Sequence, residues 1–154
     1  MSDRFEGLDQ QAWSGLLRTY AQLDQAIDAD LQAKHGIRHT EFEVLLRLRV
    51  APGGRLRVHD IAGESLLTRS GTSRLIDRLA KAGLVERAGA PEDGRGSYAV
   101  LTQSGRELFD KLRPGHVAFV RERFLDRLTR EEIAVLARVW GKLLVDSPGT
   151  VRGG

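Results

Sequence analysis

The sequence predicts a mainly α-helical protein of the α+β class, with one β-hairpin set among helices. Apolar residues recur at helical spacing through most of the chain on both sides of residues 84–101. Two short alternating segments, 84–87 and 97–101, enclose a loop at 89–96 that is rich in Gly, Pro and acidic residues. A short helix precedes this hairpin and ends at Gly83, because glycine readily takes the left-handed conformation of a helix end. A helix followed by such a hairpin predicts a winged helix-turn-helix lobe over residues 38–101.

The N-terminal segment, residues 8–36, is predicted to be one long helix that ends at Gly36. Its larger apolar residues are spaced by three or four positions, so they form one stripe: Trp13, Leu16, Tyr20, Leu23, Ile27 and Leu31. This stripe requires a partner surface, either a second subunit or the chain's own core. The pattern alone leaves both interpretations open.

The C-terminal segment, residues 103–146, is predicted to be helical, with a kink or break at Pro114 and Gly115. Thr129 and Glu132 have the spacing of a capping box at the start of its last helix. That helix carries a second apolar stripe: Ile133, Leu136, Trp140 and Leu143. We therefore predict a single chain, residues 1–154, in which segments 8–36 and 103–146 are dimerisation helices around the central lobe.

Within the lobe, two helices at 40–50 and 58–65 precede a third that begins after Thr68, and residues 55–57 are expected to pair as a short strand with the hairpin. The third helix has an apolar face, with the opposite face small, polar and basic: Ser70, Ser73, Arg74, Asp77 and Lys81. Such a face fits the DNA major groove, and the hairpin loop would then reach the adjacent minor groove. The alternative is a surface helix and hairpin with ordinary solvated charge.

The charge distribution favours nucleic acid over other partners. Residues 38–106 contain 12 Lys and Arg against 8 Asp and Glu, whereas the remainder of the chain is slightly acidic. There is no cysteine, no apolar run that could span a bilayer, no signal peptide and no catalytic motif, so we expect a cytoplasmic protein that is not an enzyme. The histidines have no metal-ligand spacing, so no metal or cofactor is predicted: His35, His39, His59 and His116.

Four segments resemble the MarR family of bacterial transcription regulators, and the resemblance covers nearly the whole chain. They are LTRSGTSRLIDRL at 67–79, AGLVER at 82–87, PEDGR at 91–95 and LTQSGR at 101–106. The resemblance implies a homodimeric winged-helix protein that binds palindromic promoter DNA, usually as a repressor. It also implies that a small, often anionic aromatic ligand releases the DNA.

The resemblance also assigns roles to individual residues. Arg95 is expected at the wing tip in the minor groove, and Asp93 is expected to orient the wing through a salt bridge to a nearby arginine. Ser70, Ser73 and Arg74 match the groove-facing positions, with Arg74 on a base or on phosphate. The expected DNA-binding set also contains Arg69 and Arg78, as phosphate contacts, and Thr72, which stands where valine is usual.

A ligand pocket is expected where the lobe meets the dimerisation helices. Trp13 and Tyr20 would line it, with Arg47 or His39 supplying charge, although core packing is the more ordinary use of the two aromatic rings. Lys81 and Arg87 are interpreted as surface or phosphate-contacting cations. The competing hypothesis for the whole chain is a winged-helix module that binds protein instead of DNA.

Overall fold

The computed structural model describes residues 6–64, 69–89 and 97–144, excluding the side chains of residues 63, 64, 69 and 70. Its six α-helices and three-stranded antiparallel sheet confirm the predicted α+β class. The chain divides into two compact units, residues 1–40 and 41–154. No helix in the described ranges combines the length and the apolar composition needed to cross a membrane.

The N-terminal unit is dominated by helix α1, Gly7–His35. Gly36 ends it at φ 65° and donates its backbone N–H to the Gln32 carbonyl at 3.0 Å, as predicted. The apolar stripe changes in burial along the helix: Leu31 is buried, whereas Trp13 is 53% and Tyr20 is 49% exposed. The N-terminal half of the stripe is therefore less buried than its C-terminal end.

Helix α2, His39–Val50, is followed by a 3₁₀ turn at Pro52–Gly54 and by helices α3, Val58–Glu64, and α4, Arg69–Lys81. Gly83 adopts φ 75° after α4, as the sequence predicts. The buried core of the second unit, residues 41–154, contains side chains from both the helices and the sheet. They are Phe42, Val44, Leu45, Leu48, Ile61, Leu75, Ile76, Leu79, Val85, Ala99, Leu101, Phe109 and Leu112. Burial of this apolar surface fixes the position of α4 relative to the sheet.

The sheet has the strand order β1-β3-β2, formed by β1, Arg55–Arg57, β2, Val85–Gly89, and β3, Ser97–Leu101. Strand β1 pairs with β3 as predicted, with Arg57 opposite Tyr98 and Arg55 opposite Val100. Because alternate residues point to opposite faces, Val85, Ala99 and Leu101 share the buried face. The other face carries side chains that are not part of the core.

Thr102 joins the end of the sheet to helix α5, Gln103–Arg123. Its hydroxyl donates to the Gly83 carbonyl at 2.7 Å and accepts the Gly105 N–H at 3.0 Å, while its own N–H donates to the Leu84 carbonyl at 3.1 Å. Gly105 packs so closely that a Cβ there would overlap the Leu84 carbonyl oxygen. This junction fixes the start of α5 against the segment that links α4 to β2.

Of the kink or break predicted at Pro114, the break does not occur, because α5 runs through this position as one helix. Proline removes one backbone hydrogen bond, but Pro114 and Gly115 lie on an exposed part of α5, where the freed carbonyl can be solvated. Helix α6, Arg130–Leu143, begins with the predicted capping box, since Thr129 and Glu132 each accept the other's backbone N–H. No residue of α6 is buried.

Candidate nucleic-acid interface

Helix α4 presents the predicted two faces. Leu75, Ile76 and Leu79 are almost completely buried, so the helix cannot rotate about its axis without exposing them. The opposite face carries the polar and charged side chains: Ser73, Arg74, Asp77, Arg78 and Lys81. All of these except the half-buried Ser73 are exposed. This arrangement presents a hydrogen-bonding and basic helix face to solvent.

The two arginines of this face, Arg74 and Arg78, differ in the contacts that their guanidinium groups make. Within residues 6–64, 69–89 and 97–144, Arg74 makes no ion pair or hydrogen bond, so its guanidinium is available to a partner. Arg78 lies 3.9 Å from Glu41, at the outer limit of an ion pair. The Arg78 side chain is 54% exposed, so part of its guanidinium stays accessible beside this weak contact.

Arg87 on strand β2 ties the face of α4 to the hairpin. Its Nε donates to Asp77 Oδ1 at 2.8 Å, and its Nη2 donates to both the carbonyl and the hydroxyl oxygen of Ser73 at 2.9 Å. Its Nη1 donates to Ser97 Oγ on strand β3 at 2.9 Å. One guanidinium therefore connects α4 with both strands of the hairpin, and its planar fork fixes their relative orientation.

Arg87 is exposed, as the surface interpretation expects, but it also has the additional role of joining α4 to the hairpin through these hydrogen bonds. A signal for its role was present in the sequence. Arg87 follows Val85 by two positions, so strand alternation places it on the face that packs against α4, where a cation needs a partner. Asp77, the acidic residue on an otherwise basic helix face, is that partner.

Two solved structures show both this architecture and substantial sequence identity. AbsC of Streptomyces coelicolor, a MarR family transcriptional regulator, has a TM-score of 0.84 and is 32% identical, with 92% of this chain and 95% of AbsC covered. The chain belongs to the MarR family of DNA-binding transcriptional regulators. Sco3205, a MarR family regulator from the same organism whose structure is a complex with DNA, gives a TM-score of 0.82 and 33% identity over 92% of this chain and 91% of that one.

Sequence comparisons also match this chain to transcriptional regulators. The MarR family model matches residues 35–96. The HTH-type transcriptional regulator YkoM of Bacillus subtilis is 34% identical over 91 residues, which are 59% of this chain. The chain spans 58% of the length of YkoM. These relatives and the fold are those of transcriptional regulators and not of enzymes.

The expected DNA contacts of this MarR-family protein fall into three groups. Ser73, Arg74 and Arg78 lie together on the outward side of α4. Thr72 does not, because it is 0% exposed and its hydroxyl has no hydrogen-bond partner in the described part of the chain. A side chain with no accessible surface cannot touch DNA, so the expectation for Thr72 is wrong. Four of the expected contacts lie outside the described side chains: Arg69, Ser70, Asp93 and Arg95.

The residues expected to bind a ligand are engaged in different ways. Trp13 and Tyr20 are half exposed on α1. His39 Nδ1 lies 2.6 Å from Asp24 Oδ1, and the His39 N–H donates to Asp28 Oδ1 at 2.9 Å, which ties the start of α2 to α1. Arg47 Nη1 donates to the Ile61 carbonyl at 2.7 Å. The two polar candidates thus have structural roles within their own units.

Proposed function

We propose that the protein is a homodimeric, sequence-specific repressor that binds a palindromic operator and releases it on binding a small anionic aromatic ligand. The observation that carries the DNA-binding part is the Arg87 bridge between α4 and the hairpin. A helix in the major groove and a wing in the minor groove must be held in one relative orientation to engage both grooves at once. Arg87 supplies that constraint.

The dimer is supported by apolar surface that the single chain leaves exposed. On α1 these side chains are Leu8, Trp13, Leu16, Leu17 and Tyr20. On α6 and just after it they are Val135, Leu143 and Leu144. Monomeric proteins seldom expose contiguous apolar stripes of this kind. In a two-fold dimer, two α4 helices would meet successive major grooves about 34 Å apart, which favours a palindromic operator.

The proposed contacts divide by the information they carry. Arg74 can read guanine with both arms of its fork, which discriminates by about 1–3 kcal/mol against the wrong base. Arg78 is assigned to phosphate, and Arg95 is assigned to the minor groove. Ser73 keeps a hydroxyl proton to donate, because its oxygen already accepts from Arg87.

The test compares arginine variants on selected and random DNA. Bound fragments are selected from the source genome, and affinities are measured at fixed salt for the wild type, Arg74→Ala and Arg95→Ala. We expect Arg74→Ala to weaken binding to the selected site about tenfold or more while binding to random duplex changes little. Arg95→Ala is expected to weaken binding to the selected site without dissociating the dimer. Adding aromatic carboxylates such as salicylate to the same assay tests ligand release.

The control is Arg113→Ala, which removes the same charge from an exposed position on α5. Equal losses for Arg74→Ala and Arg113→Ala would assign the effect to net charge and refute base reading. A wild-type protein that binds no duplex at low salt would favour the alternative function, a winged-helix module that binds protein.

A further inference from the structure

A second cationic surface lies on the solvent-facing side of the sheet. Arg55 and Arg57 project from β1 on the same face as Tyr98 of β3, because Arg57 pairs directly with Tyr98 and Arg55 lies two residues away. The Cζ atom of Arg55 is 4.0 Å from the centroid of the Tyr98 ring, and that of Arg57 is 5.1 Å from it. Both guanidinium groups are thus attracted to one aromatic ring.

This arrangement leaves Arg55 able to bind an anion. Stacking uses the face of a guanidinium, and its N–H donors remain directed outward in the plane of the group. The acidic residue that shares this face is Glu86, which lies across β3 from Arg55 in the same row. Arg55 forms no ion pair with Glu86 or with any other acidic residue in the ranges that the structure describes.

The position of the cluster indicates its partner. Tyr98 is the second residue of β3, so its ring, near which the Arg55 guanidinium lies, is at the end of the sheet that adjoins residues 90–96, whereas the Arg55 backbone pairs with Val100 further along β3. A wing in the minor groove brings this end of the sheet towards the phosphates that border the groove. Arginines that contact phosphate position a protein on duplex DNA without reading its sequence.

We infer that Arg55, supported by Tyr98 and accompanied by Arg57, binds a backbone phosphate of duplex DNA beside the wing. This inference rests on the proposed DNA-binding function and extends its contact surface to β1. Tyr98 acts as a positioning residue, because it restricts the guanidinium to one orientation before DNA arrives. The contact is independent of base sequence, so any duplex can be used to test it.

The experiment measures the salt dependence of binding to a random-sequence duplex. Each phosphate contact adds about 0.9 to the slope of log affinity against log salt, which is about 3.5-fold in affinity between 50 and 200 mM salt. We expect Arg55→Gln to reduce the magnitude of this slope by about 0.9, the value for one phosphate contact, and to weaken binding at low salt. Arg55→Lys, which keeps the charge, should retain the wild-type slope.

The matched control is Arg123→Gln. Arg123 is an exposed cation on α5 whose Cζ lies 5.1 Å from the Phe119 ring centroid, so this substitution removes the same charge from the same kind of stack. We expect its slope to equal that of the wild type. Equal slopes for the wild type, Arg55→Gln and Arg123→Gln would overturn the inference, as would equal reductions in both variants.

Tyr98 is tested by two substitutions in the same assay. Tyr98→Phe retains the ring and should bind like the wild type, whereas Tyr98→Leu should weaken binding several-fold while circular dichroism shows an unchanged fold. Equal weakening by both variants would refute the stacking role. If the wild type binds no duplex, the proposed function itself fails; if it binds and Arg55→Gln is indistinguishable from it, only the β1 contact is refuted.

Discussion

The winged lobe and the terminal helices differ in how far their apolar side chains are buried. In the lobe, the apolar sides of α2, α4 and the sheet are buried within the chain, and Leu45, Leu48 and Ile76 have no exposed surface. In α1 the first turns expose Trp13 and Tyr20, and in α6 no residue is buried. The apolar side of the lobe is therefore covered within the chain, in part by Phe109 and Leu112 of α5, whereas α6 and the first turns of α1 leave apolar side chains exposed.

The largest effect is expected at the junction that supports the lobe. Gly105→Ala places a methyl group against the Leu84 carbonyl oxygen and 2.7 Å from Leu101 Cδ1, where backbone cannot yield. We expect the free energy of unfolding to fall by about 3 kcal/mol, measured by urea denaturation.

Gly115→Ala is the matched control, because it lies in the same helix and its Cβ would meet no atom within 4 Å. Alanine is the better helix former, so this variant should gain up to about 1 kcal/mol. Similar losses of stability for the two variants would show that the tight junction at Gly105 is not what stabilises the lobe.

An intermediate effect is expected on the exposed stripe of α1. Trp13→Glu introduces charge into the surface that we assign to the dimer, and removing an aromatic anchor of this kind weakens association by about 2 kcal/mol or more. Sedimentation velocity should therefore show a shift from dimer to monomer at micromolar concentration.

Gln11→Glu adds the same charge on the opposite side of the helix and should leave the dimer intact. A wild-type protein that sediments as a monomer, or a Trp13→Glu dimer as stable as the wild type, would remove the stripe from the interface. The terminal helices would then need another explanation for their exposed apolar residues.

The smallest effect is expected inside the lobe, at Thr72. Its buried hydroxyl has no partner in the described ranges, and a buried polar group without a hydrogen bond costs about 1–3 kcal/mol. Thr72→Val keeps the shape and removes the hydroxyl, so we expect a higher melting temperature in calorimetry, equivalent to about 1 kcal/mol.

Thr72→Ser retains the hydroxyl and loses a buried methyl group, so it should melt below the wild type. A lower melting temperature for Thr72→Val than for the wild type would show that the hydroxyl has a stabilising partner. In that case the core of the lobe would contain a hydrogen-bonded polar group among its apolar side chains.

Local signals in the sequence were sufficient for most of the elements. Gly36 and Gly83 end α1 and α4 with positive φ, and the capping box at Thr129 starts α6, since these features depend on only a few neighbouring residues. The break considered at Pro114 did not occur, because α5 continues through that position. The local preference of the proline was outweighed by the rest of the helix, which a local pattern does not report.

The candidate interface was predictable in part. Helical periodicity correctly placed Ser73 and Arg74 on the outward side of α4, and the family resemblance added Arg78. Thr72 also entered the expected contacts through the resemblance, and its burial depends on what packs against the apolar face of the helix. The hydrogen bonds of Arg87 were not predicted, because its partners lie 10 and 14 positions away in the chain.

The sequence by itself determined the order of the helices and strands, the apolar and polar sides of α4, and the resemblance to a family of regulators. These follow from spacing and from short motifs, which act over a few residues. Only the tertiary structure decided that Arg87 joins α4 to the hairpin, that Tyr98 lies beside two arginines and that the N-terminal part of the α1 stripe stays exposed. Those contacts join residues from different elements, and their geometry exists only once the apolar core has fixed how the elements pack.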